Sequence, residues 1–136
     1  MIRGASILVA DDDEISARFL KRLLTHEGHH VSIVETAEGV LEVCATDAPD
    51  LVLMDLVAPR GHGFEVCRKL KEQSATRFVP VMIVTAQSDR ADRLRGIEAG
   101  CDDFLVKPFD SMELHARIQS WSRSSGTRTS SNRPSR

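Results

Sequence analysis

The chain has 136 residues, 41% apolar and 28% charged, the size and mix of one soluble globular domain able to bury a core without disulfides or a structural metal. The net charge of −2 is unevenly spread: residues 124–136 carry three arginines and no acid, leaving 15 of the 18 basic residues against all 20 acidic ones, a balance that argues against general nucleic-acid binding by the folded part. No signal-peptide pattern and no bilayer-length apolar stretch is present, so a cytoplasmic protein without membrane attachment is expected.

Ser6–Ala10 is a short apolar run ending in Asp11, Asp12 and Asp13, and it predicts a buried strand. Asp13 is placed to cap a helix with Ile15, Phe19, Leu20, Leu23 and Leu24 at helical spacing, stopped by Gly28. Val31–Val34 predicts a second strand. Thr36 is placed to cap a second helix carrying Val40, Leu41, Val43 and Cys44, and Pro49 closes that region. Leu51–Met54 predicts a third strand ending at Asp55, followed by a Pro/Gly-rich loop over 58–63 and a helix from about Phe64 to Glu72 with Val66, Cys67 and Leu70 inward.

Val79–Val84 predicts a fourth strand ending at Thr85. An Arg-rich helix over Asp89–Ala99 follows, stopped by Gly100. Phe104–Val106 predicts a fifth strand ending at Lys107-Pro108, and Asp110 caps a last helix with Leu114, Ile118 and Trp121. Five strand–helix repeats with continuously apolar strands predict an α/β fold, a parallel sheet covered on both faces. Beyond Arg123 the chain is Ser, Thr, Gly, Asn, Pro and Arg alone, so a domain over 1–123 and a disordered tail or linker over 124–136 are expected. Cys44, Cys67 and Cys101 show no metal-ligand or redox spacing and read as small core hydrophobes in a reducing compartment. His26, His29 and His30 read as surface or capping residues near a helix end.

In an open parallel sheet, ligands bind at the carboxyl ends of the strands. The residues there are Asp11, Asp12 and Asp13, then Glu35, Asp55, Thr85 and Lys107. Clustered carboxylates repel unless protons or a cation neutralise them, and an oxygen-only set favours Mg²⁺ over zinc or copper. Lys107 adds a positive charge and Thr85 a hydroxyl. That combination suits phosphoryl transfer: cations neutralise the transferring oxygens, a hydroxyl donates to one of them, and a carboxylate attacks phosphorus. Asp13 and Asp110 are assigned to capping alone.

The segments ILVADDDE, LVLMDLVAPRGHGFEVCRKLK, VPVMIVTAQSD and GCDDFLVKPFD, in this order, resemble the receiver domain of bacterial response regulators over about Ala5 to Arg123. The resemblance implies a flavodoxin-like (βα)5 three-layer sandwich with a five-stranded parallel sheet of order 2-1-3-4-5. It implies that Asp55 is the phosphoacceptor. Mg²⁺ would be held by Asp12, Asp11, Asp55 and the backbone carbonyl of Val57. Thr85, Ala86 and Lys107 would accommodate the phosphoryl group. Phe104 would be the aromatic that reports switching, Lys107–Pro108 a cis peptide, and Val57 and Gln87 the positions that tune phosphoryl lifetime.

The implied partner is a sensor histidine kinase or histidine phosphotransfer protein, docking around Ile15, Arg18 and Phe19 and the loop after the fifth strand. Phosphorylation would switch the face of the fourth helix, fifth strand and fifth helix, where Arg90, Arg93, Arg95, Glu113 and Arg117 would lie, and a phosphorylation-linked homodimer is also implied. The domain would assist its own phosphorylation and dephosphorylation without otherwise being an enzyme. Ala58, Gly61 and His62 depart from the common pattern after the phosphoacceptor, which predicts a looser loop. Two rival readings stand beside this one. The first is a haloacid-dehalogenase-type phosphatase with Asp11 as nucleophile, Asp13 as general acid, and Thr85, Lys107 and Asp102-Asp103 in its other motifs. The second is a receiver-like scaffold that is never phosphorylated.

Overall fold

Continuous apolar runs become strands of one parallel sheet because both of their faces must be covered. The computed structural model describes residues 4–11, 13–55, 63–85, 90–107 and 109–120, with residues 85 and 90–93 described by their backbone. The strands are β1 (Ser6–Ala10), β2 (His30–Val34), β3 (Leu51–Asp55), β4 (Val81–Thr85) and β5 (Asp103–Val106). Between them run α1 (Glu14–His26), α2 (Ala37–Thr46), α3 (Gly63–Glu72) and α4 (Arg90–Ala99). A last helix, α5, covers residues 111–120. All four strand pairings are parallel, in the order β2-β1-β3-β4-β5 expected of the flavodoxin-like sandwich.

The two-residue alternation of each strand sorts the core into two layers. Ile7, Val9, Leu51, Leu53, Met82, Val84 and Leu105 pack with Ala17, Leu20 and Leu24 of α1 and with Leu114 and Ile118 of α5. Leu8, Ala10, Val52, Met54, Val81 and Ile83 pack on the other face with Val40 and Cys44 of α2, Val66, Cys67 and Leu70 of α3, and Ala99 of α4. Burying a side chain of this kind contributes about 1.5–3 kcal/mol.

The caps read from sequence are formed. Asp13 Oδ1 accepts from the Ile15 amide at 3.1 Å, Thr36 Oγ1 from Gly39 at 3.0 Å and Asp110 Oδ1 from Glu113 at 2.8 Å. Each satisfies an amide that an open helix end would leave without a partner.

Gly28 closes α1 at φ 95°, with its own amide donating to Thr25 and that of His29 to Leu24. This paired closure turns the side chain that follows the glycine back against the helix. His29 is therefore 4% exposed, correcting the expectation of three surface or capping histidines; His26 and His30 are exposed. Gly100 closes α4 in the same way at φ 94°. Ile15 and Phe19 have helical spacing but point outward, leaving Ala17, Leu20 and Leu24 as the buried stripe of α1. Burial pushes the Cys44 and Cys101 thiols up to about 11 and Cys67 to about 12, in keeping with unreactive packing residues.

Candidate functional site

The carboxyl ends of β1, β3, β4 and β5 converge because the strands are in parallel register. Ala10 lies opposite Met54, Asp55 opposite Val84, and Thr85 opposite Val106. Asp11 and Lys107 therefore follow their strands at the same edge where Asp55 ends β3. Side-chain parity adds a second condition. Asp11, Asp55 and Lys107 each stand two residues beyond a side chain that faces α1 and α5, namely Val9, Leu53 and Leu105.

Strands β3 and β5 are separated by β4, a gap of roughly 10 Å. The four-carbon stem of Lys107 crosses it, and Nζ donates to Asp55 Oδ2 at 2.9 Å. The Asp55 side chain is 13% exposed and that of Lys107 31%, so solvent screens this pair less than an ordinary surface pair.

Asp11 is 4% exposed, and its Oδ1 accepts from the Asp13 amide at 2.9 Å. Burial, aided by the nearby Asp55 charge, raises its pKa above the usual carboxylate value; the Asp13 amide and Lys107 act in the opposite direction. The exposed Asp13 has its pKa lowered, first by the Ser16 hydroxyl, which donates to Oδ2 at 2.9 Å. Adjacent acids thus take separate roles: Asp13 holds the helix, while Asp11 sits as a strained charge in the cleft. A divalent cation beside Asp11 and Asp55 would relieve that strain, so the donor chemistry fits Mg²⁺. Among the described residues no three Asp, Glu, His or Cys side chains are grouped to hold a metal. Asp12 and Val57, the other expected ligands, lie outside the described residues, as do Ala86, Gln87, Pro108 and the loop departures Ala58, Gly61 and His62.

Phe104 on β5 is half-buried, packed against the α2–α3–α4 layer. Its ring occupies the space that a side chain at Gly96 of α4 would need. The sequence gives no sign of that Gly96 contact; the C-terminal closure of α4 brings it about.

Several expected associations are not formed. Arg95 does not line the face of α4, β5 and α5. Its guanidinium stacks 4.3 Å from the Phe64 ring centroid on α3, because apolar Phe64 offers a π face and the stem of Arg95 can lie along it. Arg117 does lie there, paired with Asp103 Oδ1 at 2.7 Å.

Asp102 and Asp103 stand at the start of β5, at the sheet edge opposite Asp11, and they serve other partners. Asp102 Oδ2 accepts from Lys71 Nζ at 2.8 Å and from the Val81 amide at 2.7 Å. They cannot share a site with Asp11, which removes part of the motif set that the phosphatase reading needs. Sequence inspection could have found this by asking which end of the strand each acid occupies.

The family model for the response regulator receiver domain matches residues 7–119. Among curated proteins, Response regulator PleD of Caulobacter vibrioides is 44% identical over 120 residues, 88% of this chain and 26% of PleD. Response regulator ArlR of Staphylococcus aureus is 41% identical over 113 residues, 83% of this chain and 50% of ArlR. The chain thus spans between a quarter and a half of these relatives. Among solved structures, the receiver domain of a sensor histidine kinase from Pseudomonas aeruginosa PAO1, with magnesium coordinated in its active-site cleft, superposes with a TM-score of 0.80 at 29% identity, covering 87% of this chain and 97% of that one. A CheY-like receiver domain protein of Methanospirillum hungatei JF-1 gives 0.78 at 26% identity, covering 86% and 92%.

Proposed function

Since this chain belongs to the family of response regulator receiver domains, we propose that it takes a phosphoryl group on Asp55 and changes its surface in response. The observation that carries the reading is the Asp55–Lys107 contact of 2.9 Å beside the buried carboxylate of Asp11. A carboxylate oxygen of Asp55 forms the new O–P bond as the bond from phosphorus to the donor breaks, and the electron pair leaves with the donor. Lys107 then pairs with a phosphoryl oxygen instead of Asp55 Oδ2. The Thr85 hydroxyl donates to another phosphoryl oxygen, and Ala86 leaves room for the group.

When bound by Asp11, Asp12, Asp55 and the carbonyl of Val57, Mg²⁺ supplies charge neutralisation at the transferring oxygens. The magnesium in the cleft of the Pseudomonas receiver supports this assignment. Val57 and Gln87 set how readily water reaches the aspartyl phosphate.

The donor is a sensor histidine kinase or a histidine phosphotransfer protein, and the exposed Ile15 and Phe19 with Arg18 on α1 supply an apolar docking patch for it. Receiver domains are in general signalling modules without enzymatic output. Any output activity belongs to a further domain of the kind that the longer relatives leave room for. The readout is a shift between two packings of α4, β5 and α5, with Phe104 following it, and that face supports dimerisation. The domain runs over 1–123, and 124–136 serves as tail or linker.

The test is intact-mass measurement after incubation with Mg²⁺ and acetyl phosphate. Wild type should gain one phosphoryl group in a metal-dependent way, and Asp55→Asn should not. Labelling that survives Asp55→Asn and disappears in Asp11→Asn would transfer the nucleophile to Asp11. No labelling by acetyl phosphate or by a panel of phosphorylated histidine kinases would leave a scaffold.

A further inference from the structure

Away from the phosphoryl site, a small cavity of mixed polar and apolar lining lies between the end of α1 and the start of α5. It is lined by Leu23, Leu24, Glu27, His29, Ser111, Leu114, His115 and Ile118 and has room for about one water molecule. His29 is 4% exposed, and its Nδ1 has no hydrogen-bond partner among the described residues. Glu27 Oε1 lies 2.9 Å from His115 Nδ1, close enough for an ion pair but off the direction of a ring hydrogen bond. Two imidazoles, each with a buried Nδ1, thus share this cavity with one carboxylate. No three metal-ligating side chains are grouped to hold an ion here or elsewhere among the described residues.

We propose that His29 is a proton-operated latch: its protonation places a charge in the cavity that α5 closes, with Glu27 as the anion of the lining, and loosens α5 from the end of α1. The closure of α1 at Gly28 fixes the His29 backbone at this spot, which places the ring against the helix end. A proton arriving from solvent makes both its ring nitrogens donors. A buried imidazolium needs an anionic acceptor, and Glu27 is the one carboxylate of the lining.

The charged and titratable groups facing His29 are Glu27, which caps the end of α1, His115 from α5 and its neighbour His30. Glu27 favours the charged form and both histidines oppose it. Burial is the largest effect and lowers the His29 pKa below the usual imidazole range. The contribution of neutral His29 to α5 docking is therefore full at neutral pH and weakens as pH falls from the unfolded-state value, about 6.5, toward the lowered one. The apolar contacts of Leu114 and Ile118 with the α1 layer oppose opening, so the latch changes how often α5 opens rather than the fold.

The latch is tested on the full chain, without phosphodonor or Mg²⁺, so its outcome is separate from that of the phosphoryl-transfer reading. Hydrogen exchange of residues 111–120 is measured from pH 7.5 to 5, corrected for intrinsic exchange, with the His29 ring protons followed by NMR. Protection should fall by about tenfold for each pH unit separating the unfolded and folded midpoints of His29. His29→Phe should remove this dependence, and Glu27→Gln should move the His29 midpoint further to acid. His29→Gln serves the same purpose if the Phe variant does not fold. Unchanged protection of 111–120 over the range, or wild-type pH dependence in both His29 variants, would overturn the proposal. So would a change that appears only when Zn²⁺ is added.

Discussion

Lys107 and Asp55 sit on strands that do not touch, yet their side chains meet at 2.9 Å across the end of β4. Strand parity sends both toward the α1–α5 side, and the length of lysine closes the gap. The ammonium holds the Asp55 carboxylate aimed while offering a charge that an incoming phosphoryl group can take over.

Replacing Lys107 by Met keeps the stem and deletes that charge. A charge-assisted hydrogen bond contributes about 1.5–3 kcal/mol, so phosphorylation of Asp55 by acetyl phosphate should slow by roughly ten- to hundredfold. Time-resolved intact mass reads this rate. A wild-type rate in Lys107→Met would remove the lysine from the mechanism.

Asp11→Asn should stabilise the metal-free protein at pH 7. The sign follows from the raised pKa of Asp11: a carboxyl that resists ionisation when folded lowers stability as pH rises from the unfolded value of 3.8 through the raised one. The gain should shrink as the buffer is acidified, since the wild-type group then becomes neutral too. Thermal melts in EDTA across pH check it. Mg²⁺ should raise the melting temperature of wild type and have little effect on the variant.

Lys71→Met separates stability from phosphorylation. Lys71 Nζ donates to the Val79 carbonyl at 2.7 Å and to Asp102 at 2.8 Å, tying α3 to the starts of β4 and β5. Removing it takes the lysine donor from the Val79 carbonyl and from Asp102, which keeps only the Val81 amide at Oδ2, at a cost of about 1–3 kcal/mol read by denaturant melts. Asp55 lies at the other edge of the sheet, so its labelling rate at a temperature where the variant is folded should not change.

Gly96→Ala should move the Phe104 ring out of its place on α4. The added methyl falls where the ring now packs, and overpacking of this kind costs about 1–3 kcal/mol, offset in part by alanine's better helix propensity. Fluorine NMR of 4-fluorophenylalanine-labelled protein, with Phe104 assigned by substitution to Leu, should show its resonance moving toward the solvent-exposed position. An unmoved resonance would mean that the helix yields and the ring does not.

The sequence by itself determined the strand and helix order, the caps at Asp13, Thr36 and Asp110, and the set of residues at the carboxyl edge. Those features are local: continuous apolar runs, oxygen-bearing cap residues and positive-φ glycines act within a few residues of themselves. Boundaries moved by a residue or two, as at the start of β4, where Val79 and Pro80 are buried ahead of the ladder rather than in it.

What only the tertiary structure decided is where side chains on different elements meet. Arg95 stacks on Phe64, Asp102 holds Lys71 at the far edge from Asp11, the Phe104 ring fills the space above Gly96, and His29 enters the interior beside Glu27 and His115. Each depends on the distance and angle between elements far apart in the chain, and periodicity carries no such information. The same limit separates the two readings of the acids. Their chemistry is written in the sequence, but which of them share an edge is fixed by the parallel register of the sheet.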